Sequence, residues 1–145
     1  MDIAVNIPRH VGLEFRTDTV DFMVTRPFSC VVSKTADLLD PDRVLHNIRV
    51  PEGFVTDLAS IPAPAYALNI FSPFLPNEGA GKVGRHLVAA VVHDYLYRTG
   101  KLDRERADEI FLAAMKELGV SNIRQQAFYW AVRMGGWASY NKGTP

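Results

Sequence analysis

The spacing of hydrophobic positions changes once along the chain, near residue 84. Before that point, apolar and polar residues roughly alternate over short runs, as in the segment 20–25. Such alternation is typical of half-buried β-strands. Further strands are predicted in three places, at 28–32, 47–50 and 54–56. The segment from about 10 to 58 therefore predicts a small, mostly antiparallel sheet.

After residue 84, apolar positions recur every three or four residues, which is typical of amphipathic helices. Three helices are predicted, each with start or stop signals: about Gly84 to Arg98 before Gly100, Asp103 to Gly119, and Ser121 to Gly135-Gly136. The third helix places five apolar residues on one face: Ile123, Ala127, Trp130, Ala131 and Met134. Because the connections are short, neighbouring helices are expected to be antiparallel.

The two halves are separated by the segment 61–84, which mixes prolines and glycines with aromatic residues. This composition predicts an irregular loop with apolar anchors, either a functional surface or a packed linker. The 145 residues fit one domain. We therefore predict a single α+β domain over 1–145, strand-rich over 1–60, irregular over 61–84 and helical over 85–136.

Composition excludes several classes of protein. Sixteen basic and sixteen acidic residues give zero net charge, so nothing indicates a partner nucleic acid or an anionic membrane. No uncharged apolar run reaches about 18 residues, so no transmembrane segment is predicted. Cys30 is the one cysteine, which rules out an internal disulfide. Its apolar neighbours predict a buried structural thiol.

The most informative segment is His93-Asp94-Tyr95-Leu96-Tyr97, which follows the apolar run Val88–Val92. A helix this apolar normally faces a core. An imidazole and a carboxylate buried there cost free energy unless both find partners. The segment therefore predicts a buried polar cluster.

Partners for His93 are available on neighbouring positions. Tyr97 lies four residues on and shares its helix face. Asp108, near the start of the second helix, lies beside the end of the first in an antiparallel hairpin. We predict a hydrogen bond from His93 to Asp108 or Tyr97. In a catalytic interpretation, His93 is a general base, Asp108 orients it, and Asp94 or Asp57 binds substrate or a divalent metal. The alternative is a polar network that only pins the helices together.

Two enzyme families offer comparisons for this cluster. The segment 93–97 is similar to the His-Asp-x-Cys-Tyr helix of secreted phospholipases A2, where a second helix supplies an aspartate to the histidine. Leu96 replaces the cysteine and the disulfides are absent, which indicates convergent geometry rather than a lipid substrate. His-Asp pairs also mark metal-dependent HD phosphohydrolases. Here His86 and Asp57 would complete the set, with a spacing that differs from that superfamily.

A wider resemblance covers roughly residues 45–135. The segments 50–62, 93–97 and 106–111 resemble a small-protein family of unknown function, domain-of-unknown-function family 1353, common in tailed-phage and prophage genomes. The resemblance implies a phage origin and a strand-then-helix domain, without an established activity. The family pattern carries over at Gly53, Asp57, Ser60, Pro62, His93, Asp94, Tyr97 and Asp108. Gly53, Ser60 and Pro62 are expected to be structural.

Two functional hypotheses follow. In the first, the chain is a virion component of a tailed bacteriophage, in the tail or head–tail region, made in the host cytoplasm. Its partners are then other virion proteins or further copies of itself. In the second, the chain is a phage-encoded hydrolase that acts on cell-envelope material through a His93–Asp108 dyad, with or without a divalent metal. An open cleft at the dyad favours the hydrolase, and a sealed core favours the virion component.

Overall fold

The computed structural model describes residues 3–18, 21–35, 44–56, 85–138 and 140. These residues form six strands: β1 (Ile3–Asn6), β2 (Leu13–Arg16), β3 (Asp21–Val24), β4 (Phe28–Lys34), β5 (Val44–Val50) and β6 (Val55–Thr56). Three helices follow, α1 (Arg85–Thr99), α2 (Arg104–Glu117) and α3 (Asn122–Gly135), and then a 3-10 turn at Gly136–Ala138. The predicted α+β class is confirmed.

The strands form two three-stranded antiparallel sheets rather than the one sheet that the sequence predicts. The first has the order β1-β4-β5, and the second has the order β2-β3-β6. In the first sheet Val32 pairs with Val5 and Cys30 with Ile48, which places apolar side chains on the inner face. β1 lies before the predicted start of the sheet. It pairs with the central strand β4, which begins more than twenty residues further along the chain.

Helix boundaries follow the predicted signals. Asp103 caps α2, because its carboxylate accepts the backbone N–H of Arg106 at 2.8 Å. Gly100 follows α1 with φ of 61° and Gly119 follows α2 with φ of 79°. Both angles lie in the left-handed region, which glycine enters without steric cost. Ser121 precedes α3 in the N-cap position, although its side chain makes no capping hydrogen bond.

Helix α1 is the most deeply buried of the three helices, with every residue from Val88 to Tyr97 buried. The run Val88–Val92 is buried, and Leu96 has no exposed surface. α2 packs against both α1 and α3 and also covers β1 of the first sheet. Cys30 lies in the same core, and burial raises the pKa of its thiol to about 12. The prediction of a buried structural thiol is thus confirmed.

The orientation of α3 differs from what its apolar periodicity suggests. The residues of α3 that are buried in the protein are Arg124, Gln125, Phe128 and Val132. Three members of the predicted apolar face, Ile123, Trp130 and Met134, are exposed. Among the residues that the structure describes, no helix is long and apolar enough to cross a bilayer.

Candidate functional site

Asp108 of α2 receives hydrogen bonds from two side chains of α1. The His93 Nε2 atom lies 2.7 Å from Asp108 Oδ1, and the Tyr97 hydroxyl donates to the same oxygen at 2.6 Å. An ionised carboxylate offers only acceptors, so the His93 ring donates through Nε2–H. The predicted hydrogen bond between His93 and Asp108 is therefore present, together with the contribution of Tyr97.

Two arginines that sequence reasoning missed complete the cluster. Arg133, in the last turn of α3, donates to Asp108 Oδ2 at 2.8 Å. Arg104 lies 3.8 Å from the same oxygen and donates to the backbone carbonyls of Val132 and Arg133 at 2.9 and 3.0 Å. Arg104 precedes Asp108 by one helical turn, a spacing that the sequence shows. No local signal links Arg133 to Asp108, because the contact joins two different helices.

The environment of Asp108 determines its ionisation. Burial by itself would raise the pKa of this carboxyl, but hydrogen bonds from His93, Tyr97 and Arg133 together hold it below its ordinary value. Burial raises the pKa of Tyr97, and its hydrogen bond to Asp108 raises it further. The stable arrangement is thus an ionised carboxylate with a neutral phenol as one of its donors.

Two aromatic rings pack against the histidine. The His93 ring lies between Tyr97, at a centroid distance of 4.1 Å, and Phe111, at 4.6 Å. His93 and Asp108 each have 0% of their surface exposed. Gly136, in the 3-10 turn, closes the Tyr97 side, since a Cβ at that position would lie 2.9 Å from the tyrosine hydroxyl. The His93–Asp108 pair thus lies in a sealed core rather than an open cleft.

Asp94 adjoins His93 on α1 but pairs with a different residue. It is 2% exposed and lies 3.1 Å from the guanidinium Nε of Arg98, four residues on. Successive helix residues point about 100° apart, which separates the two side chains. The contact that the structure shows for the Asp94 carboxylate is therefore with Arg98, on its own helix.

The remaining predicted site residues are mostly outside the described ranges. Asp57, Ser60 and Pro62 fall in the segment 57–84, so their predicted roles rest on the sequence alone. Gly53 is described, with φ of 86° in a turn where its N–H donates to Val24 at 2.7 Å. Because glycine enters this left-handed conformation without steric cost, the turn accounts for a glycine at position 53. Within the described ranges, no three His, Cys, Asp or Glu side chains are grouped as metal ligands would be.

His86 does not extend the polar cluster. Its ring stacks on Phe128 of α3 at a centroid distance of 5.3 Å. Burial lowers the pKa of His86 to about 4, and the nearby charge of Arg124 contributes to that shift. A neutral imidazole stacked on a phenyl ring serves as a partly buried packing side chain.

A shallow cleft brings two of the sequence motifs together. Its volume is about 560 Å³, and its walls include Gly53 and Phe54 from one motif and Tyr95 and Arg98 from the other. Phe54 and Tyr95 meet edge to face at 5.3 Å, and Lys101 donates to the Tyr95 hydroxyl at 2.6 Å. The sequence gives no signal for this juxtaposition, because it depends on packing α1 against the second sheet.

Comparison with protein families gives a match. A family model described as "Protein of unknown function (DUF1353)" matches residues 32–132, which is more than half of the chain. No curated protein and no solved structure matches significantly. The matched range includes His93, Tyr97, Arg104 and Asp108 of the cluster and ends one residue before Arg133.

Proposed function

The chain belongs to the DUF1353 family of proteins of unknown function, and we propose that it is a structural component of a tailed-phage particle. The phage assignment extends the motif resemblance described above. The structural role is supported by one observation above all, the complete burial of the His93–Asp108 pair.

A buried dyad is poorly placed for proton transfer to a substrate. A general base must come within hydrogen-bond reach of the proton that it removes, directly or through one water molecule. His93 has 0% exposed surface and is enclosed by Tyr97 and Phe111. Both oxygens of Asp108 are already hydrogen-bonded acceptors. This geometry suits a permanent structural network.

The same network connects all three helices. Asp108 of α2 binds His93 and Tyr97 of α1 and Arg133 of α3. Arg104 adds two hydrogen bonds to the carbonyl end of α3. Satisfied buried polar groups favour one arrangement of a core over its alternatives. A domain whose three helices keep one fixed arrangement is suited to a structural subunit of the tail or head–tail region, which must take the same place in every particle.

The partners that follow from this role are other virion proteins or copies of the same chain, met after synthesis in the host cytoplasm. The zero net charge supports protein partners over nucleic acid. A divalent metal is not needed for the role.

The alternative is a phage-encoded hydrolase that acts on cell-envelope material. It is supported by the short distance between the two residues of the dyad. The 2.7 Å between His93 Nε2 and Asp108 Oδ1 is the separation that an oriented general base requires. The same distance serves a structural hydrogen bond equally well.

Two measurements on the whole chain test the proposal. The first looks for the protein by quantitative mass spectrometry in purified particles of the phage that encodes it, where we expect a fixed copy number per particle. The second assays the wild type on envelope lipids and peptidoglycan, with added divalent metal and with chelator. We expect no turnover under either condition.

A His93→Ala variant and an exposed control, His10→Ala, distinguish the two hypotheses. If the wild type hydrolyses a substrate and only the folded His93→Ala protein loses about 10²–10⁴-fold in rate, the hydrolase is correct. Absence of the protein from purified particles would contradict the virion role.

A further inference from the structure

An uncharged stripe runs along the outer face of α3 into the 3-10 turn. Its members follow one another at steps of four and three residues in turn: Ile123, Ala127, Trp130, Met134 and Trp137. The four large side chains are 81%, 56%, 78% and 70% exposed in chain order. At 100° per residue, the stripe lies opposite the buried Phe128 and Val132. The helix thus has two apolar faces, and packing within the protein buries one of them.

The stripe is large for an exposed surface. Two tryptophans, an isoleucine and a methionine at these exposures present roughly 500 Å² of apolar area, near the upper end for a soluble monomer. Two such stripes in contact would bury about 1,000 Å², the area at which specific interfaces begin. A second copy of the chain therefore supplies a surface of matching size and polarity.

We propose that this stripe is a self-association surface, through which two copies pair their α3 helices antiparallel about a two-fold axis. Alternating steps of three and four residues are the spacing of helix pairs with interlocking side chains. In the antiparallel register that sets Ala127 against Trp130 of the second copy, Ile123 lies against Met134 of the second copy. Large side chains then meet small ones at the centre, as close packing requires.

The charges of α3 favour the same partner. The helix carries two arginines and no acidic residue. Arg124 is 5% exposed, and Arg133 donates to Asp108 inside the protomer. Neither guanidinium is directed across the stripe to attract an acidic partner. An antiparallel pair also sets the positive end of each helix dipole beside the negative end of the other. This pairing needs neither a phage origin nor a catalytic role for His93.

Sedimentation equilibrium on the full chain tests the pairing over micromolar to submillimolar concentrations. We expect the wild type to reach twice the mass of one chain. Trp130→Glu should weaken the dimer at least about 30-fold, as loss of a central interface residue does. At concentrations where both proteins are monomeric, its thermal unfolding midpoint should stay close to that of the wild type, because Trp130 is exposed in the protomer. Leu45→Glu, on an exposed position of β5, should dimerise like the wild type.

Cysteine cross-linking tests the antiparallel register. An equal mixture of Ile123→Cys and Met134→Cys proteins should form a disulfide-linked dimer on mild oxidation, and each variant alone should not. Cys30 has no exposed surface, so its thiol is not expected to form a cross-link. A dimer linked in the Ile123→Cys protein alone would overturn the antiparallel arrangement. A wild type that is monomeric at every concentration would overturn the proposal, and its flotation with phosphatidylcholine vesicles would assign the stripe to a lipid surface instead.

Discussion

His93 and Tyr97, one turn apart on α1, donate to the same oxygen atom, Oδ1 of Asp108. A single carboxylate oxygen therefore fixes two buried donors, and the loss of that oxygen removes the acceptor that both share. A buried donor without a partner costs about 1–3 kcal/mol.

Replacing Asp108 with alanine is expected to lower the free energy of unfolding by roughly 2–4 kcal/mol, because His93 and Tyr97 lose a shared acceptor. Urea unfolding followed by circular dichroism measures the change. Glu109→Ala is the matched control on the same helix, since Glu109 forms a partly exposed ion pair with Arg106. The control should stay within about 1 kcal/mol of wild type. If the urea midpoint of Asp108→Ala equals that of the wild type, the hydrogen-bond network does not contribute to the stability of the fold.

Replacing Arg104 with lysine should also destabilise the fold, by about 1 kcal/mol, although the charge is kept. The guanidinium donates to two carbonyls through two separate nitrogens, and an ammonium cannot reproduce that planar fork. Arg106→Lys, on a more exposed side chain, serves as control and should change little. Equal midpoints for the two variants would mean that the carbonyl contacts of Arg104 add nothing.

Gly136→Ala is expected to destabilise the protein by about 1–3 kcal/mol through steric overlap. The new methyl group would lie 2.9 Å from the Tyr97 hydroxyl, which its hydrogen bond to Asp108 holds in place. Gly135→Ala, at the neighbouring exposed helical position, should be neutral or slightly stabilising. Differential scanning calorimetry compares the two. A neutral Gly136→Ala protein would mean that Tyr97 can move.

The stability of the protein should fall between neutral pH and about pH 5, in part through His86. Its pKa is lowered to about 4 in the folded protein, against 6.5 for an ordinary histidine. In that window the unfolded chain binds the proton more tightly, so acidification favours unfolding. Over this window the shift would contribute about 2 kcal/mol in full, and partial exposure of the ring reduces the contribution to about 1 kcal/mol.

Urea midpoints near pH 7.5 and about pH 5 measure this dependence. A His86→Gln protein should show a smaller difference between the two midpoints than the wild type does. His10→Gln, on an exposed position, should keep the full difference. Identical pH dependence in all three proteins would refute the contribution of His86.

Much of the helical half could be predicted from local signals. The cap at Asp103 and the stops at Gly100 and Gly119 depend on backbone chemistry within a few residues, and the structure has all three. The contact of His93 with Asp108 follows from one further step, the antiparallel geometry of two helices with a short connection.

What could not be predicted depends on contacts between distant segments. Periodicity identifies the apolar face of α3, but it does not say whether that face is covered, and Trp130 proves exposed. The contact of Arg133 with Asp108 joins residues 25 positions apart on different helices. The division into two sheets likewise rests on the pairing of β1 with β4 and of β3 with β6.

The separation between Asp108 and Arg133 also has a consequence for synthesis on the ribosome. At about 5–20 residues per second, a stretch of 25 residues takes roughly 1–5 s to translate. During that interval α1 is complete and α2 is being finished, but Asp108 lacks its arginine from α3. The polar core between the helices therefore cannot form completely until the third helix has been made. A chaperone that recognises unfinished cores has seconds in which to bind the hairpin.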